Sequence, residues 1–177
     1  EDMEDGKYEL SFAKSEFKVG DANGKELKPA LVAGYLIIGD EEQPEDPEDP
    51  EDPPVVDGFK WYITEEVKPE SDGYAEIDVF VADDPGTGAY AFQMLIEGKE
   101  FSEYGIEIEE IAKGTAYSMM DTFVPNVKIG YVGASSTTTT DPQFAKANTP
   151  VATFGIVVPE DMEDGKYELS FAKSEFK

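Results

Sequence analysis

Apolar and polar residues alternate with a period of two along most of this chain. YAEIDVFVA at 74–82 puts Ala75, Ile77, Val79 and Val81 on one side and Glu76, Asp78 and Phe80 on the other, the pattern of a strand with one buried face. Similar short runs are FKWYITEEV (59–67), AYAFQMLI (89–96), GIEIEEI (105–111), AYSMM (116–120), NVKIGYVGA (126–134), VATFGIVV (151–158) and KYELSFA (166–172). They are rich in aromatic and β-branched residues, and Gly, Pro or Asp punctuates nearly every gap. LVAGYLII at 31–38 supplies one more strand. No long stretch sustains a helical apolar stripe. The expected fold class is all-β, a sandwich of about nine short strands.

One segment lies outside this pattern. Residues 40–57, DEEQPEDPEDPEDPPVVD, cannot bury apolar surface; repeated proline and like charge favour an extended, solvated spacer. EDMEDGKYELSFAKSEFK occupies residues 1–18 and recurs unchanged at 160–177. That offset is the size of a domain with its linker, far longer than a solenoid repeat. It predicts a window across near-identical tandem modules, with a deliberately duplicated end as the other explanation. The expected organisation is a tail fragment over 1–39, the acidic linker over 40–57, and a module over 58–177 that lacks its last strand.

Forty acidic residues against fourteen basic ones leave a formal net charge of −26 among 177 residues. Such a field disfavours nucleic acid and anionic membrane surfaces and favours partners bearing Lys or Arg. There is no cysteine, hence no disulfide framework and no thiolate metal site. There is no histidine either, which removes the usual proton-transfer group and the commonest zinc ligand. Serine-histidine and cysteine-histidine mechanisms are excluded within the chain. The longest apolar run, at 30–39, is too short to cross a bilayer as a helix. The expectation is a non-catalytic piece from inside a longer exported protein.

Taken in order, these elements resemble the cohesin modules of cellulosome scaffold proteins. DDPGTGAYAFQMLIEG (83–98) is similar to the family's turn and third strand, and GIEIEEIAKGTAY (105–117) to the fourth strand and the turn after it. VATFGIVVPEDMEDGKYELSFAKSEF (151–176) resembles the seventh strand, an acidic turn and the eighth strand. KVGDANGKELKPALVAGYLIIG (18–39) resembles the family's ending, so the order is permuted. The resemblance implies a nine-stranded jelly-roll β-sandwich, bacterial and extracellular or on the cell surface. One flat face would bind dockerins, which are calcium-loaded helical modules carried by polysaccharide-degrading enzymes. The calcium would sit in the dockerin, and no cofactor is expected in this chain.

Within that resemblance the partner-binding face centres on strand 89–96. With Tyr90, Phe92, Met94 and Ile96 inward, Ala89, Ala91, Gln93 and Leu95 point outward. The best-known subgroup of the family has Asn and Asp where Ala89 and Ala91 stand, which implies a more hydrophobic contact here. The alternative is that a loop simply covers these residues. Along 126–134, with Ile129 and Tyr131 inward, Gly130 and Val132 would face out, or the strand is buried on both sides. Met119 and Met120 cannot both enter the core, and an exposed Met119 would be an adaptable contact. Leu27, after the Asn23-Gly24 turn, aligns with a contact position near the family's eighth strand.

Other constellations have plainer readings. Asp21-Ala22-Asn23-Gly24 opens like a calcium loop, but Val32 stands where the twelfth-position Glu is required, and a hairpin turn is the better reading. Glu107, Glu109 and Glu110 read as a charged, edge-protecting strand face rather than a glycosidase pair. Residues 135–140, SSTTTT, form a polar loop. Trp61 is the only tryptophan, and core packing fits it better than a sugar-binding platform. The competing function is a structural repeat of a surface filament or adhesin, assembled by strand exchange between units. Because only 31–38 can close the module, the tail must return to it or complete a neighbouring copy. Completion between chains is favoured if residues 1–39 belong to the preceding module, and the identical segments 1–18 and 160–177 compete for one eighth-strand slot.

Overall fold

The computed structural model describes residues 17–39, 58–136 and 141–172. The acidic linker at 40–57, the first sixteen residues of the repeat, the threonine run at 137–140 and the end of the second copy at 173–177 lie outside the described residues.

The described chain is an all-β sandwich of two sheets. In chain order the strands are β1 (Lys18–Gly20), β2 (Glu26–Leu27), β3 (Ala30–Val32), β4 (Gly34–Ile38), β5 (Lys60–Ile63), β6 (Glu66–Val67), β7 (Tyr74–Ala82) and β8 (Ala89–Ile96). A single 3₁₀ turn, Phe101–Tyr104, precedes β9 (Glu107–Lys113), β10 (Thr122–Asn126), β11 (Tyr131–Ser135), β12 (Ala152–Val157) and β13 (Gly165–Phe171). One sheet runs β10-β11-β8-β13-β4-β6, with β1 also paired to β8 and β2 to β1; the other runs β3-β5-β7-β12-β9. Between them lie Trp61, Ile77, Val79, Phe92, Met94, Ile96, Phe154, Ile156 and Leu169, all essentially without solvent exposure. Trp61 packs on Tyr90 at 5.0 Å, on Phe17 at 5.4 Å and on Phe92 at 5.9 Å between ring centroids. It is a core residue, as its strand context predicts.

β7 and β8 span the residues that strict alternation predicts. Two other predicted strands divide, and for a shared reason. The run 31–38 becomes β3 and β4, and the run 59–67 becomes β5 and β6, each pair leaving one sheet for the other. β3 lies parallel to β5 and β4 parallel to β6, so the two segments cross the sandwich side by side. A crossing strand meets the core on changing sides, which is why LVAGYLII is a continuous apolar run rather than an alternating one.

Two further expectations are corrected. AYSMM at 116–120 is a loop that closes one end of the sandwich. Ala116 and Met120 are buried there, and the Ala116 backbone bonds to Pro150 and Lys146 instead of to a sheet. The strand expected over 126–134 is a hairpin: residues 127–130 form its turn, with β10 on one side and β11 on the other. Pro125 lies inside β10, an edge position where its missing N–H costs no ladder bond.

Within this chain the expected closing run pairs as β3 with β5 and as β4 with β13 and β6. The expected competition of the two copies for one strand slot lies outside the described residues, since only Phe17 and Lys18 of the first copy are described. Residues 165–171 pair with one half of β8 and residues 18–20 with the other.

Candidate functional site

Four strands, β1, β8, β11 and β10, lie side by side, and their outward side chains make a flat face. Register places Lys18, Ala91, Gly133 and Val124 in one row across it. The next row is Gly20, Ala89, Ser135 and Thr122, and on the other side stand Gln93, Tyr131 and Asn126. Strand spacing makes this floor about 14 Å wide, enough to seat one helix of about 10 Å diameter.

Alternation puts Tyr90, Phe92 and Met94 of β8 in the core, leaving only the small side chains of Ala89 and Ala91, both half-buried, in the middle of the outer face. Gly133 adds no side chain of its own to that floor, and the Tyr131 side chain takes the space instead. A Cβ at this position would stand 3.1 Å from the Tyr131 hydroxyl oxygen, so the Tyr131 ring lies along its own strand over the space that a larger residue would take. Val124, on the edge strand, is 56% exposed, a large apolar side chain at the rim of a floor of small ones.

The predicted contact residues divide on inspection. Ala89, Ala91 and Leu95 are half-buried on the outward side of β8, with Leu95 farther along, beside Ser170 of β13. Gln93 shares that side but is only 6% exposed. Its amide donates to the Ile129 carbonyl at 2.8 Å and to Glu100 Oε1 at 3.5 Å, so it anchors the β10–β11 turn. Met119 is 45% exposed and Met120 fully buried, the expected division, though both sit in the end loop rather than on a strand.

Three residues are placed differently from expectation. Val132 points inward and is completely buried, because the turn shifts the alternation of this segment by one. Gly130 is a buried turn residue at φ 65°, a left-handed conformation suited to glycine; its carbonyl accepts from Met94 N–H at 3.0 Å. Leu27 pairs opposite the buried Val19 and packs against the core, not on the face. The face residues that pattern reading missed are Val124, Tyr131, Gly133 and Lys18. Pro125 disguised β10 as a loop, and recognising the hairpin turn at 127–130 would have revealed three of the four.

The loops around the face are held by polar contacts. Asp84 Oδ1 accepts from Gly86 N–H at 3.0 Å and from the Thr87 hydroxyl at 2.8 Å, while Oδ2 accepts from the Tyr117 hydroxyl at 2.7 Å and Ala145 N–H at 2.9 Å. Burial, reinforced by the Asp84 charge, pushes the Tyr117 phenol well above its usual range; burial alone does the same to Tyr90. The Asn23-Gly24 segment is a hairpin turn: Asp21 Oδ1 accepts from the N–H groups of Asn23 and Lys25 at 2.8 and 2.9 Å. Glu107, Glu109 and Glu110 are exposed on β9, an edge strand of the other sheet, where a register shift at Gly155/Ile156 turns Glu109 and Glu110 both outward. No family model matches this sequence, and no curated protein matches it.

Proposed function

We propose that this chain is a non-catalytic binding module of the cohesin kind, a nine-stranded jelly roll in its complete form. Its β1-β8-β11-β10 face takes the helical surface of a calcium-loaded dockerin. The observation that carries this reading is the row Lys18–Ala91–Gly133–Val124, in which two small residues lie between an exposed lysine on one side and an exposed aliphatic side chain at the other rim. Small floor residues let a helix backbone approach closely, and binding energy then concentrates in the few side chains that fill the middle. The setting is extracellular or cell-surface assembly of polysaccharide-degrading enzymes, where several modules on one scaffold raise local concentration. The net charge of −26 favours dockerins whose contact helix carries Lys or Arg.

Titration calorimetry against a panel of calcium-loaded dockerins tests this. Ala91→Arg and Gly133→Leu each raise the floor and are expected to weaken the cognate complex by about 100-fold or more. Glu110→Arg, on the opposite sheet, should leave affinity within about threefold. Chelating calcium should abolish binding while leaving the unfolding of this chain unchanged. Unaltered affinity in a folded Ala91→Arg protein would sink the assignment of the face, and no binding by any dockerin would sink the partner class.

A second reading, a filament or adhesin repeat joined by strand exchange, is favoured by one observation. Segments from near the two ends of the chain, residues 18–20 and 169–171, both pair along β8.

A further inference from the structure

The Asn23-Gly24 dipeptide sits at the tip of a hairpin that has little to hold it. β1 and β2 have three and two residues, and among the described residues β2 pairs only with β1. At the tip Gly24 N–H donates to the Asp21 carbonyl at 3.0 Å and Asp21 N–H to the Lys25 carbonyl at 2.9 Å. Residues 23–26 are all exposed. A turn with so few bonds, at the end of a sheet, opens locally while the sandwich stays folded.

Opening frees a reactive pair. The Gly24 nitrogen and the Asn23 side-chain carbon Cγ are spaced along the chain to close a five-membered ring. Glycine has no Cβ to shield its nitrogen, and the protein around it adds no shield: at φ 78° a Cβ on Gly24 would meet nothing within 4 Å. The chain has two other asparagines, and neither combines these features. Asn126 lies in β10 opposite Tyr131, and its Oδ1 accepts from Lys128 N–H at 3.2 Å. Val127 follows Asn126 and Thr149 follows Asn148, and branching at Cβ crowds the nitrogen that would attack.

We infer that Asn23 is a site of spontaneous covalent modification, where the chain converts its own amide to aspartate or isoaspartate. Gly24 N gives up its proton and attacks Asn23 Cγ. The new C–N bond closes a succinimide, and the side-chain nitrogen leaves with that proton as ammonia. One water then opens the ring. Cleavage of the new bond gives aspartate. Cleavage of the original bond, between the Asn23 carbonyl carbon and Gly24 N, gives isoaspartate, whose main chain runs through Cβ and Cγ and is longer by a methylene. Either product adds a carboxylate to a chain already at −26. The isoaspartate also strains its surroundings. Asp21 and Ala22 press on Gly88 so closely that a Cβ there would stand 2.6 Å from the Asp21 carbonyl oxygen and from Ala22 Cα. With no room on that side, the longer chain bulges outward. It gives up the Gly20–Glu26 register and the bonds from Asn23 and Lys25 N–H to Asp21 Oδ1.

Peptide mass mapping of the full-length protein, aged folded at mildly alkaline pH and digested in acid, tests this. The peptide holding Asn23 should gain the mass of an amide-to-acid conversion and resolve into two products of equal mass, one of them a substrate for protein isoaspartate methyltransferase. Peptides holding Asn126 and Asn148 should stay unchanged. The rate should rise with hydroxide concentration, because the attacking nitrogen must lose its proton. Gly24→Ala should slow conversion by about tenfold or more, and Asn23→Gln, which needs a larger ring, should abolish it. Amide exchange at Lys25 should quicken in the isoaspartate form while that at Phe92 stays slow. An Asn23 amide that survives in the folded protein, under conditions that convert a urea-unfolded sample, would overturn the inference. So would conversion of Asn126 or Asn148 at an equal rate, or an undiminished rate in Gly24→Ala.

Discussion

Asp84 is the residue on which the loops at one end of the sandwich converge. Its four hydrogen bonds tie the turn before β8 to Tyr117 of the end loop and to Ala145. Removing the carboxylate leaves the Tyr117 hydroxyl, on a residue only 4% exposed, without the acceptor for its proton. Asp84→Ala is therefore expected to cost about 2–4 kcal/mol in chemical denaturation, and Asp84→Asn less, because one amide oxygen still accepts. Two buried tyrosines set the alkaline limit. The folded protein holds Tyr90 and Tyr117 protonated above the pH at which the unfolded chain releases them. Their contribution is intact below the unfolded phenol value of about 10 and falls as pH rises beyond it, each by about 1.4 kcal/mol per pH unit. Denaturation midpoints measured at successive alkaline pH values should show a plateau and then this decline, with the slope roughly halved in Tyr117→Phe.

At the scale of elements, what decided legibility was whether a strand stays in one sheet. β7 and β8 each lie in a single sheet with one face buried, so their alternation marks both ends correctly. β3–β4 and β5–β6 change sheets, and a pattern that reverses its buried side halfway reads as one uninterrupted strand. β10 shows the opposite failure. Its central residues are mostly exposed and one is Pro125, so neither apolar period nor propensity marks it, and only pairing with β11 makes it a strand. The error passed into the site: the unrecognised turn at 127–130 shifted the phase of the next strand, turning Val132 outward and Tyr131 inward on paper and the reverse in the fold. A period of two makes a one-residue slip invert every assignment.

At the scale of the molecule the dominant quantity is charge. With forty acidic residues against fourteen basic ones, the excess negative charges repel one another more strongly when the chain is compact. The ion pair of Lys166 with Glu66 at 3.1 Å is solvent-exposed and contributes little against that field. Added salt shortens the Debye length from about 30 Å at 0.01 M to below 8 Å above physiological strength. The unfolding temperature should therefore rise by a few degrees between 10 and 500 mM sodium chloride. A flat or falling salt dependence would mean that local pairing, not self-repulsion, sets the balance.

Alternation and composition by themselves determined the all-β class, the buried faces of β7 and β8, the core place of Trp61 and the outward side of Ala89 and Ala91. They also reveal the duplicated segment. Each of these follows from period, residue type or identity along one stretch of chain. The tertiary structure alone decided which strands cross between sheets, how Val124 and Gly133 come to share a row with Ala91, and how residues 165–171 and 18–20 come to lie end to end along β8. Those depend on backbone hydrogen bonds between residues distant in sequence, and a ladder that any residue can join leaves no mark on the residues that join it.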